Sequence, residues 1–164
     1  MRSLFLPLAA AVALAGCATA NAQPAASGPP ELGHFMIAIS VADLDKETAW
    51  YVDNLGFEVE LDTTFGPGIP VRWLVSGDER IELLKIADSK PGTPHPAPPG
   101  HAAIQGFLQI TFSTSDIEAT RAALAAKGLT PALDITEVAP LGVKVMYYTD
   151  PEGNPVEIAQ RIAR

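Results

Sequence analysis

The chain has 164 residues and a formal net charge of −8, from 19 acidic and 11 basic residues. This acidic balance argues against a nucleic-acid-binding surface or an anionic-membrane-binding surface, because both partners are themselves negatively charged. The single cysteine excludes an intrachain disulfide, so the folded part has to be stabilised by burial alone.

Residues 1–22 have the layout of a secretory signal peptide. Arg2 is followed by an apolar run at positions 4–15 that is too short to cross a bilayer. Two processing sites compete in this segment. The sequence LAGC, ending at Cys17, resembles the lipobox of bacterial lipoproteins, in which the cysteine becomes lipidated. The tripeptide ANA at positions 20–22 has the form of an ordinary signal-peptidase site.

Either processing site predicts export to a periplasm. We favour the lipobox, because it is the more specific motif and uses the one cysteine of the chain. A lipid on Cys17 would be the protein's only membrane contact, and Ala18 after the cysteine indicates the outer membrane. Residues 23–32 then form a flexible spacer. Loss of Arg2 with the signal leaves 10 basic and 19 acidic residues, a formal charge of −9. About 130 residues remain for folding, which suits one domain.

The first half of the remaining chain predicts a strand, a helix and three further strands. Residues 34–41 alternate as a strand, and Asp43 then opens a helix over residues 44–54 that Gly56 ends. The further strands are predicted over residues 57–63, 71–76 and 80–86. This unit, residues 33–87, is called module one and has the order βαβββ.

The same order recurs after a proline-rich linker, residues 88–104. Module two, residues 105–162, predicts strands over 105–114, 131–138, 143–149 and 155–161, with a helix over 117–127. Superposition places VADL at 41–44 on TSDI at 114–117, an offset of 73 residues. An internal repeat of about 70 residues indicates two tandem modules. The predicted fold class is α+β.

The repeated βαβββ pattern resembles the vicinal oxygen chelate superfamily, which includes glyoxalase I, bleomycin-resistance proteins and extradiol dioxygenases. The resemblance rests on SVADLDKETAWYVDNLGFEVE at 40–60 and YYTDPEGNPVEIAQ at 147–160. It implies that the curled mixed sheets of paired modules form a cup for a small-molecule ligand. The sequence leaves open whether the modules pair within one chain or across a homodimer. The resemblance is specific for the fold and not for one reaction, because this superfamily hosts many chemistries.

Metal ligands in that superfamily lie on the first and last strands of each module. The resemblance implies Met36 and Gln109 as first-strand ligands, at equivalent positions five residues before the Val-x-Asp motif and its counterpart. It implies Glu82 and Glu157 as last-strand ligands. Independently of the resemblance, each glutamate interrupts an apolar strand, and the two occupy equivalent positions of the repeat. His101 lies on no predicted ligand strand.

The predicted ligand set leaves two interpretations open. Two carboxylates and an amide oxygen suit Mg²⁺ or Mn²⁺, with Ni²⁺ or Zn²⁺ as further candidates, whereas the thioether of Met36 is a poor ligand for hard cations. His34 replaces Met36 only if a bulge shifts the strand; otherwise it is a rim residue. Without a metal, Arg80 and Arg161 lie on the right strand faces to balance the two glutamates.

Two functions follow, and the sequence leaves open whether the chain is an enzyme. In the first, a divalent metal held by Glu82, Gln109 and Glu157 polarises a substrate's vicinal oxygens, and one of the glutamates acts as the catalytic proton shuttle of a glyoxalase-like lyase or isomerase. In the second, a metal-free acidic cup binds a cationic drug or metabolite, as the bleomycin-resistance branch implies. Export argues against lactoylglutathione lyase activity, because the glutathione adduct is cytosolic.

Overall fold

A computed structural model describes residues 33–162 of the chain. The predicted signal peptide, the lipidation of Cys17 and the spacer at residues 23–32 lie outside these residues and stay predictions. Within the described range, no helix has the length and apolarity that a membrane span requires.

Each module forms one helix and one four-stranded sheet. In module one, β1 to β4 span Ile37–Ser40, Glu58–Phe65, Ile69–Ser76 and Glu79–Leu84, and α1 spans Leu44–Leu55. In module two, β5 to β8 span Ile110–Ser113, Leu133–Val138, Val143–Thr149 and Pro155–Arg161, and α2 spans Ile117–Ala126. Short 3₁₀ helices lie at Gly100–Ala103 and Ala139–Leu141. The predicted α+β class and the repeated βαβββ order are confirmed.

The two sheets have the same topology. Their strand orders are β1-β4-β3-β2 and β5-β8-β7-β6. The first and last strands of each module run parallel, and the remaining neighbours run antiparallel. A parallel pair needs a long crossover connection, and here the helix and the two middle strands supply it. This topology places the residues of the first and last strands side by side, which is where the site residues were predicted.

Local signals set the ends of the helices. Asp43 and Asp116 have extended backbones, and their carboxylates accept hydrogen bonds from the N–H groups of Lys46 at 3.1 Å and Ala119 at 3.0 Å. Gly56 ends α1 with a φ of 74°, a left-handed conformation that side chains with a Cβ rarely adopt. Both helices therefore begin where the sequence predicted.

The helix-facing sides of both sheets form one continuous core. Leu74 and Leu83 of module one and Met146 of module two are fully buried. Phe112 and Trp50 pack against the buried residues of both modules. Shared packing of this kind stabilises the two modules as one unit, which extends from His34 onward.

The β7–β8 turn of module two docks on the start of α1 in module one. Glu152 Oε1 accepts hydrogen bonds from the backbone N–H groups of Ala42 at 2.7 Å and Asp43 at 3.2 Å. The Tyr51 hydroxyl donates to Asp150 Oδ2 at 3.3 Å. The turn that the sequence predicted at DPEGN therefore also makes a polar contact between the modules.

The first strand of each module is shorter than predicted. β1 begins at Ile37 rather than at residue 34, and β5 begins at Ile110 rather than at residue 105. The parallel pairing with the last strand of each module begins at these same two residues. Met36 and Gln109 therefore precede the strands, and strand alternation does not decide which way their side chains point.

Candidate functional site

Glu157 is the best-connected polar side chain on the open face of module two, the sheet face opposite α2. Its carboxylate accepts hydrogen bonds from the hydroxyls of Tyr147 at 2.6 Å and Thr111 at 2.6 Å, and from the side-chain amide of Gln109 at 2.8 Å. Tyr147 and Thr111 are its register partners on the two neighbouring strands. Strand pairing therefore places two of the donors, and only 9% of Glu157 is exposed.

His101 of the linker completes this cluster. Its Nε2 donates to Gln109 Oε1 at 2.7 Å, and its ring lies edge-on to Tyr147 with a centroid distance of 5.2 Å. The residue is 3% exposed, because the linker folds back over the sheet as the 3₁₀ helix at Gly100–Ala103. Sequence reasoning missed His101, since no periodicity in the proline-rich linker shows which of its residues is buried.

Glu82 is the counterpart of Glu157 in module one, and it has fewer partners. It accepts one hydrogen bond, from the Trp73 indole N–H at 2.8 Å. Trp73 is its register partner on β3, as Tyr147 is for Glu157 on β7. Ala38 stands where module two has Thr111, so the hydroxyl donor is absent. The repeat therefore preserves the pairing of a glutamate with an aromatic donor but not the rest of the cluster.

The residues before β1 do not bring His34, the possible substitute for Met36, into hydrogen-bonding contact with Glu82. His34 is exposed and Met36 is half-buried. Phe35 lies between these two residues in the sequence. Its ring packs edge-on against the Trp73 ring, with the ring centroids 6.0 Å apart. The exposure of His34 agrees with its interpretation as a rim residue, and its role as a substitute ligand stays a prediction.

The arginines do not balance the two glutamates. Arg80 forms a two-pronged ion pair with Glu60, with both nitrogen–oxygen distances at 2.6 Å, and stacks over Phe35. None of the salt bridges within residues 33–162 reaches Glu82 or Glu157. The compensation expected from Arg80 and Arg161 is therefore not formed, and neutral donors surround Glu157 instead.

A cavity of about 420 Å³ opens over this face of module two. Its polar lining consists of Gln109, Thr111, Tyr147 and Glu157, and its remaining lining is aliphatic, from Val138, Leu141, Val143, Val145 and Ala159. Apolar walls around a few convergent polar groups are the usual composition of a small-molecule site.

The Tyr147 hydroxyl is a hydrogen-bond donor and not a base. Burial, followed by the hydrogen bond to the Glu157 carboxylate, raises the pKa of Tyr147 above its ordinary value of 10. The phenol therefore stays protonated at neutral pH and keeps donating to Glu157.

The geometry of this cluster does not suit a hard divalent cation. Gln109 turns its amide nitrogen to Glu157, and its oxygen is bonded to His101. Glu82 and Glu157 share no hydrogen-bond partner. No group of three or more His, Cys, Asp or Glu side chains within residues 33–162 is arranged to hold a metal ion. The implied set contains only two such residues, so the ligand role of Glu82, Gln109 and Glu157 stays a prediction.

Comparison with known proteins identifies the family. The model of the Glyoxalase/Bleomycin resistance protein/Dioxygenase superfamily matches residues 31–158. The chain belongs to this superfamily. The resemblance inferred from residues 40–60 and 147–160 is thereby confirmed. A search of curated proteins gave no significant match.

Solved structures of the superfamily share the fold. A glyoxalase family protein from Enterococcus faecalis is 22% identical, with 77% of this chain and 96% of that chain covered and a TM-score of 0.63. Another from Bacillus cereus is 18% identical, with 85% and 100% covered and a TM-score of 0.64. TnmS3, an antibiotic binding protein from a Streptomyces species, is 18% identical, with 81% and 99% covered and a TM-score of 0.62. Because the superfamily includes both glyoxalases and binding proteins, membership fixes no reaction.

Proposed function

We propose that this protein binds a small organic cation in the cavity of module two and does not convert it chemically. The observation that carries the proposal is the buried carboxylate of Glu157, which lines a cavity of about 420 Å³ and is surrounded by neutral donors. All of its hydrogen bonds are donated to it, which is the pattern of an ionised carboxylate.

The electrostatics of the cavity favour a positively charged ligand. Neutral donors orient the Glu157 carboxylate but leave its charge uncancelled, and a charge of this kind acts strongly in a partly water-excluded site. The protein's net charge of −8 also raises the local concentration of cations. The aliphatic walls at Val138, Leu141 and Val143 suit an apolar body attached to the cationic group.

The fold relatives are compatible with binding without turnover. TnmS3, which shares the fold, is described as an antibiotic binding protein. This likeness is an analogy of fold and supports the proposal only at that level.

A ligand panel tests the proposal. We expect cationic drugs or metabolites to bind in calorimetry, and we expect the Glu157→Gln variant to lose about tenfold or more in affinity, because charged hydrogen-bond partners contribute about 1.5–3 kcal/mol. Affinity should also fall with added salt. The matched control is Glu58→Gln, which changes an exposed glutamate on β2 of module one. Equal affinity for neutral analogues, or no binding across the panel, would contradict the proposal.

A metal-dependent lyase is the second candidate, and one observation favours it. The fold brings the two implied ligands of module two side by side, with Gln109 Nε2 lying 2.8 Å from Glu157 Oε2. From the present geometry we expect Mg²⁺, Mn²⁺, Ni²⁺ or Zn²⁺ to leave the thermal midpoint unchanged, whereas a ligand at 100 times its Kd stabilises a fold by about 2.7 kcal/mol. Stoichiometric metal in the purified protein that disappears in a Glu157→Ala variant would support the lyase instead.

A further inference from the structure

Glu47 on α1 is a buried acid that takes no part in the cavity. The residue is 0% exposed, and neither carboxyl oxygen has a hydrogen-bond partner within residues 33–162. An ionised carboxylate without partners is among the most unfavourable groups to bury. The burial of Glu47 therefore needs an explanation.

The charged groups that act on Glu47 are themselves acidic. Asp150, which is 4% exposed, and Glu152 belong to the β7–β8 turn that docks on α1. Tyr51, one turn along α1 from Glu47, donates to Asp150. No salt bridge of the described residues brings a cation to these three acids. Burial and the charges of Asp150 and Glu152 raise the pKa of Glu47 to about 9.

The carboxyl oxygens of the turn already accept hydrogen bonds. Asp150 Oδ1 accepts from the backbone N–H groups of Glu152 at 3.1 Å and Asn154 at 2.7 Å, and Oδ2 accepts from the Asn154 side chain at 2.8 Å. Glu152 accepts from the N–H groups at the start of α1. The proton that lowers the charge of this cluster is therefore best held by Glu47, whose two carboxyl oxygens have no hydrogen-bond partner of good geometry within residues 33–162.

The repeat shows that the fold itself does not require an acid at this place. Thr120 of α2 corresponds to Glu47 at the offset of 73 residues. It is a neutral residue that bonds Thr114 at 2.8 Å and the Asp116 carbonyl at 2.8 Å. The acid is thus particular to the side of the molecule where the β7–β8 turn contacts α1.

We propose that Glu47 is held as a neutral carboxylic acid and forms a pH-sensitive latch between the two modules. When it is protonated, the β7–β8 turn docks on α1. Its ionisation places a third negative charge beside Asp150 and Glu152, and separation of the turn from α1 relieves that repulsion. The docking therefore weakens as the pH rises.

The sign of the pH dependence follows from linkage. In the undocked state Glu47 regains its ordinary pKa of 4.5, whereas in the docked state its pKa is about 9. The docked state holds the extra proton between these values. The equilibrium constant for docking is therefore highest below pH about 4.5. It falls by up to tenfold per pH unit above that value and becomes constant above pH about 9.

Amide hydrogen exchange tests the latch in the full chain. The N–H groups of Ala42 and Asp43 bond Glu152 and report directly on docking. We expect their protection factors, corrected for intrinsic exchange, to fall by up to tenfold per pH unit between pH 6 and 9. In Glu47→Gln they should stay flat, and in the control Glu58→Gln they should fall as in the wild type.

The protonation state of Glu47 can also be read without any variant. The carboxyl carbon of Glu47, followed by NMR, should show the neutral acid at pH 7 and titrate in the alkaline range. An ionised Glu47 at pH 7 would overturn the proposal. Wild-type protection factors that do not change with pH would also overturn it. A third contradicting outcome is that added divalent cations raise the protection of the wild type at pH 7 but not that of Glu47→Gln, because a metal ion would then hold the cluster together.

Discussion

Replacement of Tyr51 by alanine is expected to lower the free energy of unfolding by about 3–5 kcal/mol, the usual loss for a large aromatic side chain in a core. Tyr51 is 0% exposed. Its ring packs edge-on against Trp50 and Phe57, with centroid distances of 4.9 Å and 5.7 Å. Its hydroxyl reaches Asp150 of module two. The side chain therefore belongs both to the core of module one and to the contact between the modules.

Urea unfolding followed by circular dichroism measures this loss. The matched control is Tyr51→Phe, which keeps the ring and removes only the hydrogen bond of 3.3 Å to Asp150. We expect that variant to lose about 1 kcal/mol. If Tyr51→Phe were as unstable as Tyr51→Ala, the polar contact with the turn and not the packing of the ring would hold the junction.

Removal of Glu157 is expected to destabilise the protein more than removal of its counterpart Glu82. In Glu157→Ala three donors lose their partner in a buried cluster, and each unsatisfied buried group costs about 1–3 kcal/mol, so we expect a loss of about 3 kcal/mol or more. In Glu82→Ala only the Trp73 indole loses its acceptor, at a half-buried position, and we expect about 1 kcal/mol.

Chemical unfolding of the two variants at pH 7 measures the loss of unfolding free energy in each. The two losses can be compared directly, because the repeat places both glutamates on equivalent strands of one protein. A double-mutant cycle with Tyr147→Phe adds a second readout. Tyr147 and Glu157 are 2.6 Å apart at their oxygens, so their combined loss should be smaller than the sum of the single losses. Equal losses for the two alanine variants would show that the additional hydrogen bonds to Glu157 do not stabilise the fold.

This asymmetry decides where a ligand is expected. The two modules share a glutamate facing an aromatic donor, as Glu82 faces Trp73 and Glu157 faces Tyr147. Only module two adds an amide, a hydroxyl and the linker residue His101 around its glutamate. The cationic ligand that we propose is therefore expected at module two, where the carboxylate accepts the larger number of hydrogen bonds.

Local patterns in the sequence were sufficient to predict the order of the helices and strands, although not the bounds of the first strand of each module. Both helices begin after the capping aspartates Asp43 and Asp116, because an N-cap needs only a side chain and the N–H groups of the next turn. The strands followed from the alternation of apolar residues, and the repeat identified the two modules. These signals act over a few residues, so tertiary contacts did not obscure them.

Glu47 could have been singled out from the sequence. It lies four residues before Tyr51 and three after Leu44, on the helix face that those apolar residues mark as buried. An acid on such a face predicts either an ion pair or a raised pKa. Which of the two applies depends on the β7–β8 turn, about 100 residues away in the chain, and that separation lies beyond any local pattern.

By itself the sequence determined the βαβββ repeat, the superfamily and the presence of Glu82 and Glu157 at equivalent strand positions. The tertiary structure alone decided what surrounds them. Gln109 precedes β5 and donates a hydrogen bond from its amide nitrogen to Glu157. The linker folds back, so that His101 forms a hydrogen bond with the amide oxygen of Gln109. Periodicity fixes the face on which a side chain lies, whereas hydrogen-bond partners depend on register between strands and on the path of loops.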